Sequence, residues 1–147
     1  MKTFQLSIED IPRFWENIKF ACTEADEVPK ESLPGYLNEL LYSLLSDKAQ
    51  CFVRVDDDKT LIALILVRIK MDAATGKKYL FNQCFYSWKK LTLEEWIPEM
   101  TLGFNFAKKE GCESIVIQTR NQKIIDLITS FGFTERFRTY SVSIKGR

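Results

Sequence analysis

The stretch KKEGCESIVIQTRNQKIIDLITSFGF, Lys108–Phe133, decides the fold class of this chain. It predicts a helix that ends at Gly111, a buried strand over Ser114–Thr119, and a further helix that opens at Asn121 and stops at Gly132. The apolar face of that last helix consists of Ile124, Leu127, Ile128 and Phe131. A helix, a strand and a second helix in succession indicate helices packed on a sheet.

The N-terminal third of the chain predicts one short strand and two helices. KTFQL, residues 2–6, alternates as a strand does and is followed by the helix-opening cluster Ser7–Asp10. The first helix places Ile11, Phe14, Trp15, Ile18 and Cys22 at helical spacing. The second helix repeats the same spacing in Leu37, Leu40, Leu41, Leu44 and Leu45.

The middle of the chain predicts three consecutive antiparallel strands. Cys51–Val55 alternates, Asp56–Lys59 forms a turn, and the apolar run LIALILV begins at Leu61. A loop containing Gly76 then leads into the aromatic run YLFNQCFYSW, Tyr79–Trp88.

The remaining two elements complete the predicted order. Pro98 suits the first position of a helix, so the third helix is expected to start near Ile97. Tyr140, Val142 and Ile144 alternate and predict a closing strand. The prediction is an α+β (mixed α/β) fold in one domain, residues 1–147, with the order β-α-α-β-β-β-α-β-α-β. Its mixed, mostly antiparallel sheet has about six strands, with four helices packed on it.

Composition excludes several classes of function. The 147 residues carry 21 Lys+Arg and 20 Asp+Glu, without a basic block, which argues against a nucleic-acid or membrane-surface partner. No apolar run approaches the roughly 20 residues that span a bilayer, and no secretory signal is recognised, so we expect a cytoplasmic protein. The chain has no histidine, which removes Ser-His and Cys-His nucleophile pairs and all His-containing metal sites.

The four cysteines are predicted to be buried thiols. Cys22, Cys51, Cys84 and Cys112 are widely scattered and form no C-x-x-C pair. Each lies in or beside an apolar segment, where free cysteine commonly behaves as a small hydrophobic residue. We therefore expect neither disulfides nor a bound metal.

The predicted order, together with Lys108–Phe133, resembles the GNAT superfamily of N-acetyltransferases. The likeness covers nearly the whole chain, and the spacing from Asn121 to Gly132-Phe133 is its most specific part. The resemblance implies a fold that binds acetyl-CoA, or another acyl-CoA, between two splayed strands and transfers the acyl group to a primary amine.

Two positions depart from the pattern of that family. Its glycine-rich loop, which cradles the pyrophosphate at a helix N-terminus, should fall at LTLEEW, residues 91–96. No glycine occurs between Gly76 and Gly103, and Glu94, Glu95 and Glu99 place three carboxylates around the expected helix start. The tyrosine that commonly protonates the leaving thiolate is replaced by Ile128, which has no proton to donate.

The resemblance still implies a set of cofactor-binding residues. Phe85, Tyr86 and Ser87 lie on the strand whose backbone meets the pantetheine arm in a typical member, and Asn121 matches the family asparagine. Lys89 and Lys90 could replace backbone amides at the phosphates, with Trp88 beside them. Each has a plainer structural interpretation: Asn121 as a helix cap, the lysine pair as solvated surface and Trp88 as part of the core edge.

No catalytic residue follows from the sequence. Tyr86 and Tyr140 are available as proton donors but cannot be placed, and Glu39 on the second helix has no partner that one sequence reveals.

Three functions therefore remain open. The chain is a divergent acyl-CoA-dependent N-acyltransferase acting on a small-molecule or peptide amine, a noncatalytic interaction or binding module on the same scaffold, or a binder of another apolar ligand or peptide between strands four and five. Homodimerisation is compatible with each.

Overall fold

The computed structural model describes residues 1–146, and its elements follow the predicted order up to the last helix. Single 3₁₀ turns at Ile8–Asp10 and Lys30–Ser32 precede α1 and α2. The nine main elements are β1 Lys2–Gln5, α1 Ile11–Ala25, α2 Leu33–Leu45, β2 Gln50–Val55, β3 Leu61–Met71, β4 Lys78–Ser87, α3 Leu93–Lys109, β5 Ser114–Ile117 and α4 Gln122–Ser130.

The five strands form one mixed sheet in which the spatial order equals the chain order, β1-β2-β3-β4-β5. The first three pairings are antiparallel and the pairing of β4 with β5 is parallel, as expected for two strands joined by a helix. The structure thus confirms the predicted mixed, mostly antiparallel sheet with four helices.

The helices cover both faces of this sheet. Strand residues alternate between the faces, so neighbouring residues of one strand enter different cores. The core beneath α1 and α2 includes Ile18, Leu40, Val53, Leu64 and Cys84. The core beneath α3 and α4 includes Phe52, Ile65, Leu80, Trp96 and Met100.

The predicted turn between β2 and β3 is confirmed and has a clear local cause. The Asp56 carboxylate accepts hydrogen bonds from the backbone N–H groups of Asp58 and Thr60, both at 2.9 Å. Lys59 adopts a left-handed conformation with φ 64°, which the turn requires. An aspartate that bonds the backbone two residues ahead is a common turn former.

The third helix differs from the prediction at both ends. It begins at Leu93, not near Ile97, because Thr92 caps it in a capping box with Glu95. Pro98 therefore lies inside α3 instead of at its start. At the other end the helix stops at Lys109, and Gly111, with φ +75°, follows the stop as a left-handed residue.

The predicted closing strand does not form. Residues 134–144 belong to no helix or strand, so the sheet has five strands and not six. Tyr140 is 83% exposed and Ile144 is 76% exposed. Alternating apolar residues favour a strand, but a strand exists only where its backbone finds a hydrogen-bonding neighbour, and here none is supplied.

No helix within residues 1–146 is long and apolar enough to cross a membrane.

Candidate functional site

The most distinctive feature of the sheet is the early separation of β4 from β5. The two strands pair only from Tyr79 to Asn82 on β4, opposite Ser114 to Ile117 on β5. β4 then continues to Ser87 while still paired with β3. The C-terminal half of β4 consequently has one edge in the sheet and one edge facing an opening.

A β-bulge lies where the strands separate. Asn82 pairs with Val67 and Cys84 pairs with Leu66, so Gln83 is the extra residue on β4. Asn82 is 5% exposed, and its Oδ1 has no hydrogen-bond partner in the described structure. A buried amide oxygen without a partner is costly, so a hydrogen-bond donor that reached this atom would be stabilising.

Beyond the bulge, every second residue of β4 points its backbone N–H and C=O groups toward the opening. The N–H of Trp88 donates to the carbonyl of Ile62 at 2.8 Å, so Trp88 and, by alternation, Tyr86 bond β3. The backbone groups of Phe85 and Ser87 then point away from β3. Of the three strand residues named from the sequence, Phe85 and Ser87 present backbone groups to the opening and Tyr86 does not.

A polar cluster covers the bulge on the side of α1 and α2. Nε2 of Gln83 donates to Oδ2 of Asp26 at 3.0 Å and lies 3.3 Å from the hydroxyl of Tyr36. The Tyr36 hydroxyl also donates to Asp26. Partial burial, together with this bond to a carboxylate, raises the pKa of Tyr36, so its phenol stays protonated.

Arg68 extends the cluster from β3 to α2. Its Nε donates to Oε1 of Gln83 at 2.6 Å, and its Nη2 lies 2.7 Å from Oε1 of Glu39. The hydroxyl of Ser43 donates to Oε2 of Glu39 at 2.8 Å. Although partial burial opposes ionisation, the hydrogen bonds from Arg68 and Ser43 hold the pKa of Glu39 below its usual value. Glu39 therefore has a defined partner, which the sequence did not reveal.

An aromatic group adjoins this cluster at the end of β4. Tyr86 meets Trp88 edge to face with ring centroids 5.0 Å apart, and Phe20 of α1 contacts both. Burial, followed by the charge of Glu24, raises the pKa of Tyr86. Trp88 packs on the core beneath α1 and α2, which agrees with its plainer structural interpretation.

The N-terminus of α3 is occupied by its own side chains. The N–H of Glu95 donates to Oγ1 of Thr92 at 3.2 Å, and the N–H of Thr92 donates to Oε1 of Glu95 at 3.0 Å. These hydrogen bonds, first from the backbone and then from the side chain of Thr92, lower the pKa of Glu95, which stays charged. A pyrophosphate would meet fewer free amides and two carboxylates here, since Glu94 also lies in the first turn.

Glu99 does not belong to that helix start. It is 0% exposed, it lies in the part of α3 that packs on the sheet, and neither carboxylate oxygen has a hydrogen-bond partner in the described structure. Burial raises the pKa of Glu99 to about 7, against the opposing charge of Arg54 on β2. The expectation that Glu99 lies at the start of α3 with Glu94 and Glu95 is therefore wrong, because α3 begins one turn earlier than predicted.

The remaining residues named from the sequence lie at separate places. Lys89 and Lys90 are exposed just after β4, before the start of α3. Asn121 caps α4, its Oδ1 accepting the N–H of Lys123 at 3.0 Å. Ile128 is the buried residue of α4, whereas Tyr140 is exposed in the segment after that helix.

One ion pair joins the two sides of the opening. Arg120, in the loop after β5, pairs with Glu27, which follows α1. This pair links the loop that borders β5 to the loop that carries Asp26. Both side chains are largely exposed, so the pair contributes little to stability.

The residues present fit acyl-CoA in part. The free edge of β4 and Oδ1 of Asn82 suit the amide-rich pantetheine arm, and Lys89 and Lys90 supply positive charge close by. The capped N-terminus of α3 does not suit a backbone cradle for the pyrophosphate. No group of His, Cys, Asp and Glu residues within residues 1–146 could hold a metal ion.

Comparison with solved structures defines the class of fold. A "probable acetyltransferase" matches at TM-score 0.76 and 13% identity, covering all of both chains. An aminoglycoside acetyltransferase from an uncultured soil metagenomic sample matches at TM-score 0.71 and 15% identity, covering 98% of this chain and 96% of the other. A "predicted acetyltransferase" from Clostridium acetobutylicum, solved with acetyl-CoA, matches at TM-score 0.70 and 12% identity, covering 97% and 96%.

These matches show that the chain has the GNAT acetyltransferase fold, as its sequence resemblance predicted. At such identities the likeness concerns the fold alone. No protein-family model matches the chain, and no curated protein matches its sequence.

Sequence reasoning missed the cluster of Asp26, Tyr36, Arg68 and Gln83. These residues come from α1, α2, β3 and β4, and no spacing along the chain links them. The one available signal was the pair of polar residues, Asn82 and Gln83, within an otherwise aromatic and apolar strand. Polar residues in such a strand commonly mark a bulge or a site.

Proposed function

We propose that the chain is an N-acyltransferase that moves an acyl group from a CoA thioester to a primary amine. The observation that carries this proposal is the free edge of β4 beyond Asn82, where a bulge and a buried, unpaired amide oxygen lie beside backbone groups that point away from β3. The fold of the acetyltransferases to which the chain is similar adds support.

The donor would be held by β4 and the residues just after it. Backbone groups of Phe85 and Ser87 would bond the pantetheine arm, and Oδ1 of Asn82 would accept one of its N–H groups. Lys89 and Lys90 would contact the phosphates in place of backbone amides. When bound, the CoA thioester supplies the acyl group.

The acceptor would enter from the side of α1 and α2, where the cluster borders the bulge. Asp26 carries a carboxylate that can accept hydrogen bonds from an incoming amine, which would attack the thioester carbon in its neutral form and release a proton to water as the amide bond forms. Glu24, in the last turn of α1, and Glu27 lie close to Asp26 in the chain. Tyr36 contacts the bulge residue Gln83 and its phenol is protonated, so it is the candidate hydrogen-bond donor to the leaving group; its raised pKa makes it a weaker acid than an unperturbed tyrosine. Tyr36 would thereby take the role at the leaving thiolate that Ile128 cannot serve.

A second candidate, a noncatalytic binding module on this scaffold, is favoured by one observation. Thr92 and Glu95 use the donors of α3 that a pyrophosphate would need. A protein that does not bind CoA has no need of these backbone donors for a pyrophosphate. A helix start capped by its own side chains would therefore not impair such a protein.

The test is the thermal midpoint of the full chain with and without 1 mM acetyl-CoA. A ligand of roughly 10 μM affinity adds about 2.7 kcal/mol at that concentration, a shift of several degrees for a chain of this size. The double variant Lys89→Ala, Lys90→Ala should lose most of the shift. The double variant Lys108→Ala, Lys109→Ala, an exposed pair at the end of α3, is the matched control and should keep it.

A positive shift leads to an assay of acyl transfer to a panel of primary amines. If acetyl-CoA and longer acyl-CoAs leave the midpoint unchanged, the transferase proposal is wrong and the binding module is favoured.

A further inference from the structure

A groove lies between the C-terminal half of α3 and the strands β1, β2 and β3. Its volume is about 390 Å³, within the range of sites that hold small organic molecules. Phe52, Ile69, Leu102 and Phe106 form its apolar wall. This α3 groove is on the β1 side of the sheet, whereas the opening described above lies between β4 and β5.

Gln50, the first residue of β2, is the buried polar residue of the α3 groove. Phe52, two residues along β2, packs in the core beneath α3, so alternation places the side chain of Gln50 on the same face. Gln50 is 8% exposed. Its Nε2 donates to the backbone carbonyl of Asp47 at 2.8 Å and lies 3.3 Å from Oδ1 of Asp47. These two contacts fix the orientation of the amide, because the reverse orientation would place oxygen against oxygen.

The other atom of this amide, Oε1 of Gln50, lacks a donor. It is buried and has no hydrogen-bond partner within residues 1–146. A buried acceptor without a partner costs free energy, so an N–H group that reached this atom from the α3 groove would be stabilising. The oxygen therefore favours a ligand that donates a hydrogen bond.

The charges around the α3 groove favour a donor that is positively charged. Asp47, which is exposed, and Glu110, which is half-buried, supply two carboxylates against the one ammonium group of Lys109. Glu110 directly follows α3, where the negative end of the helix dipole attracts cations. The exposed amides of Gln5 and Asn105 can also accept hydrogen bonds from an ammonium group.

We propose that the α3 groove binds a small arylalkylamine. The ammonium group donates to Oε1 of Gln50 and lies close to Asp47, and the aromatic ring packs against the apolar wall. The rings of Phe52 and Phe106 already meet edge to face with centroids 5.7 Å apart, a geometry that a third ring can extend. No residue of the α3 groove belongs to the acyl-CoA site proposed above, so this inference does not depend on acyl transfer.

Titration of the isotope-labelled full chain with 2-phenylethylamine, followed by two-dimensional NMR, tests the proposal. We expect saturable shifts of the side-chain amide of Gln50 and of the backbone amides of Phe52 and Phe106, with a dissociation constant on the order of 1 mM. 2-Phenylethanol has the same ring without the positive charge and should bind at least about tenfold more weakly, since charged hydrogen bonds are the stronger kind.

Two variants separate the contributions of the amide and the charge. Gln50→Met keeps the size of the side chain, removes Oε1 and should weaken binding of 2-phenylethylamine by about tenfold. Asp47→Asn should weaken binding by about threefold, because asparagine removes the charge and tolerates the left-handed conformation of this residue, φ 62°. Asp58→Asn, at an exposed aspartate in the turn after β2, is the matched control and should keep the affinity.

Three results would overturn the proposal. The first is the absence of saturable shifts in the α3 groove, or shifts confined to residues 82–87 beside the opening. The second is equal binding of 2-phenylethanol and 2-phenylethylamine. The third is an equal effect of Asp47→Asn and Asp58→Asn, which applies even if Gln50→Met does not fold.

Discussion

Glu99 is the residue at which burial and charge conflict most directly. Its carboxyl group lies within the core beneath α3 with no hydrogen-bond partner, and its pKa rises to about 7. Below pH 4.5 the group is protonated in both the folded and the unfolded chain. Between that pH and 7 the unfolded chain loses the proton first, so the folded state becomes less favourable as the pH rises.

We predict that the free energy of unfolding falls between pH 5 and pH 8 by on the order of 3 kcal/mol, because a raised carboxyl pKa disfavours the folded state at high pH. Glu99→Gln, which cannot ionise, should flatten this slope and stabilise the protein at pH 8. Urea unfolding at pH 5, 6.5 and 8 measures the effect. Glu94→Gln, exposed in the same helix, is the control and should keep the slope of the unchanged chain.

We predict that Tyr36→Phe lowers the rate of acyl transfer by about 10²-fold while leaving acetyl-CoA binding intact, because it removes one proton and no apolar surface. Steady-state kinetics together with the acetyl-CoA thermal shift separates the two quantities. Tyr42→Phe serves as the control, since Tyr42 lies on the same helix but is exposed. Equal rates for both variants would remove Tyr36 from the mechanism.

At the scale of elements, the start of α4 depends on one side chain. We predict that Asn121→Ala destabilises the protein by about 1 kcal/mol, because the N–H of Lys123 loses its acceptor. Asn121→Ser, which restores a cap, should recover most of the loss in urea unfolding. If Asn121 serves only as a cap, Asn121→Ser also keeps the affinity for acetyl-CoA, whereas a direct contact with the cofactor would be lost.

The elements most predictable from sequence were those with a strong period or a clear local signal. The leucines of α2, the turn at Asp56–Lys59 and the cap at Asn121 each depend on residues close in the chain, and the structure has all three. The start predicted for α3 from Pro98 is too late, because the capping box formed by Thr92 and Glu95 begins the helix at Leu93. Pro98 is the sixth residue of α3, where it removes one backbone hydrogen bond, while the capping box supplies two hydrogen bonds at the helix start.

The candidate site was much less predictable than the fold. β4 was placed correctly, but the bulge at Gln83 is set by its register against β3, which depends on a neighbouring strand. Likewise, Asp26 and Arg68 are 42 positions apart in sequence and meet Gln83 only when three elements pack. The missing sixth strand has the same origin, since alternation predicts a strand but cannot supply the strand beside it.

At the scale of the whole molecule, the two-sided packing of the sheet determines which thiols water can reach. Cys22, Cys51 and Cys84 lie in the core beneath α1 and α2, at most 1% exposed, whereas Cys112 lies half-buried just before β5. The sequence predicted four buried thiols, so Cys112 departs from that expectation.

We predict that a thiol reagent modifies one cysteine in the native protein and four in urea, because core thiols are shielded from both solvent and reagent. Burial raises the pKa of Cys112, so even its reaction should be slow at neutral pH and faster at higher pH. Cys112→Ser identifies the reactive site and should abolish native labelling. Rapid labelling of two or more thiols would show that the core beneath α1 and α2 opens readily.

The strands lie in the sheet in the same order as in the chain, so the sheet can form progressively during synthesis on the ribosome. β2, β3, β4 and β5 can each add to a strand that has already emerged, and only the pairing of β1 with β2 must wait for two helices to be made. The short connections between β2, β3 and β4 favour rapid assembly of these three strands, whereas β5 joins only after α3 is made. Synthesis from the N-terminus therefore completes the sheet in one direction, and its last edge appears when most of the protein is already folded.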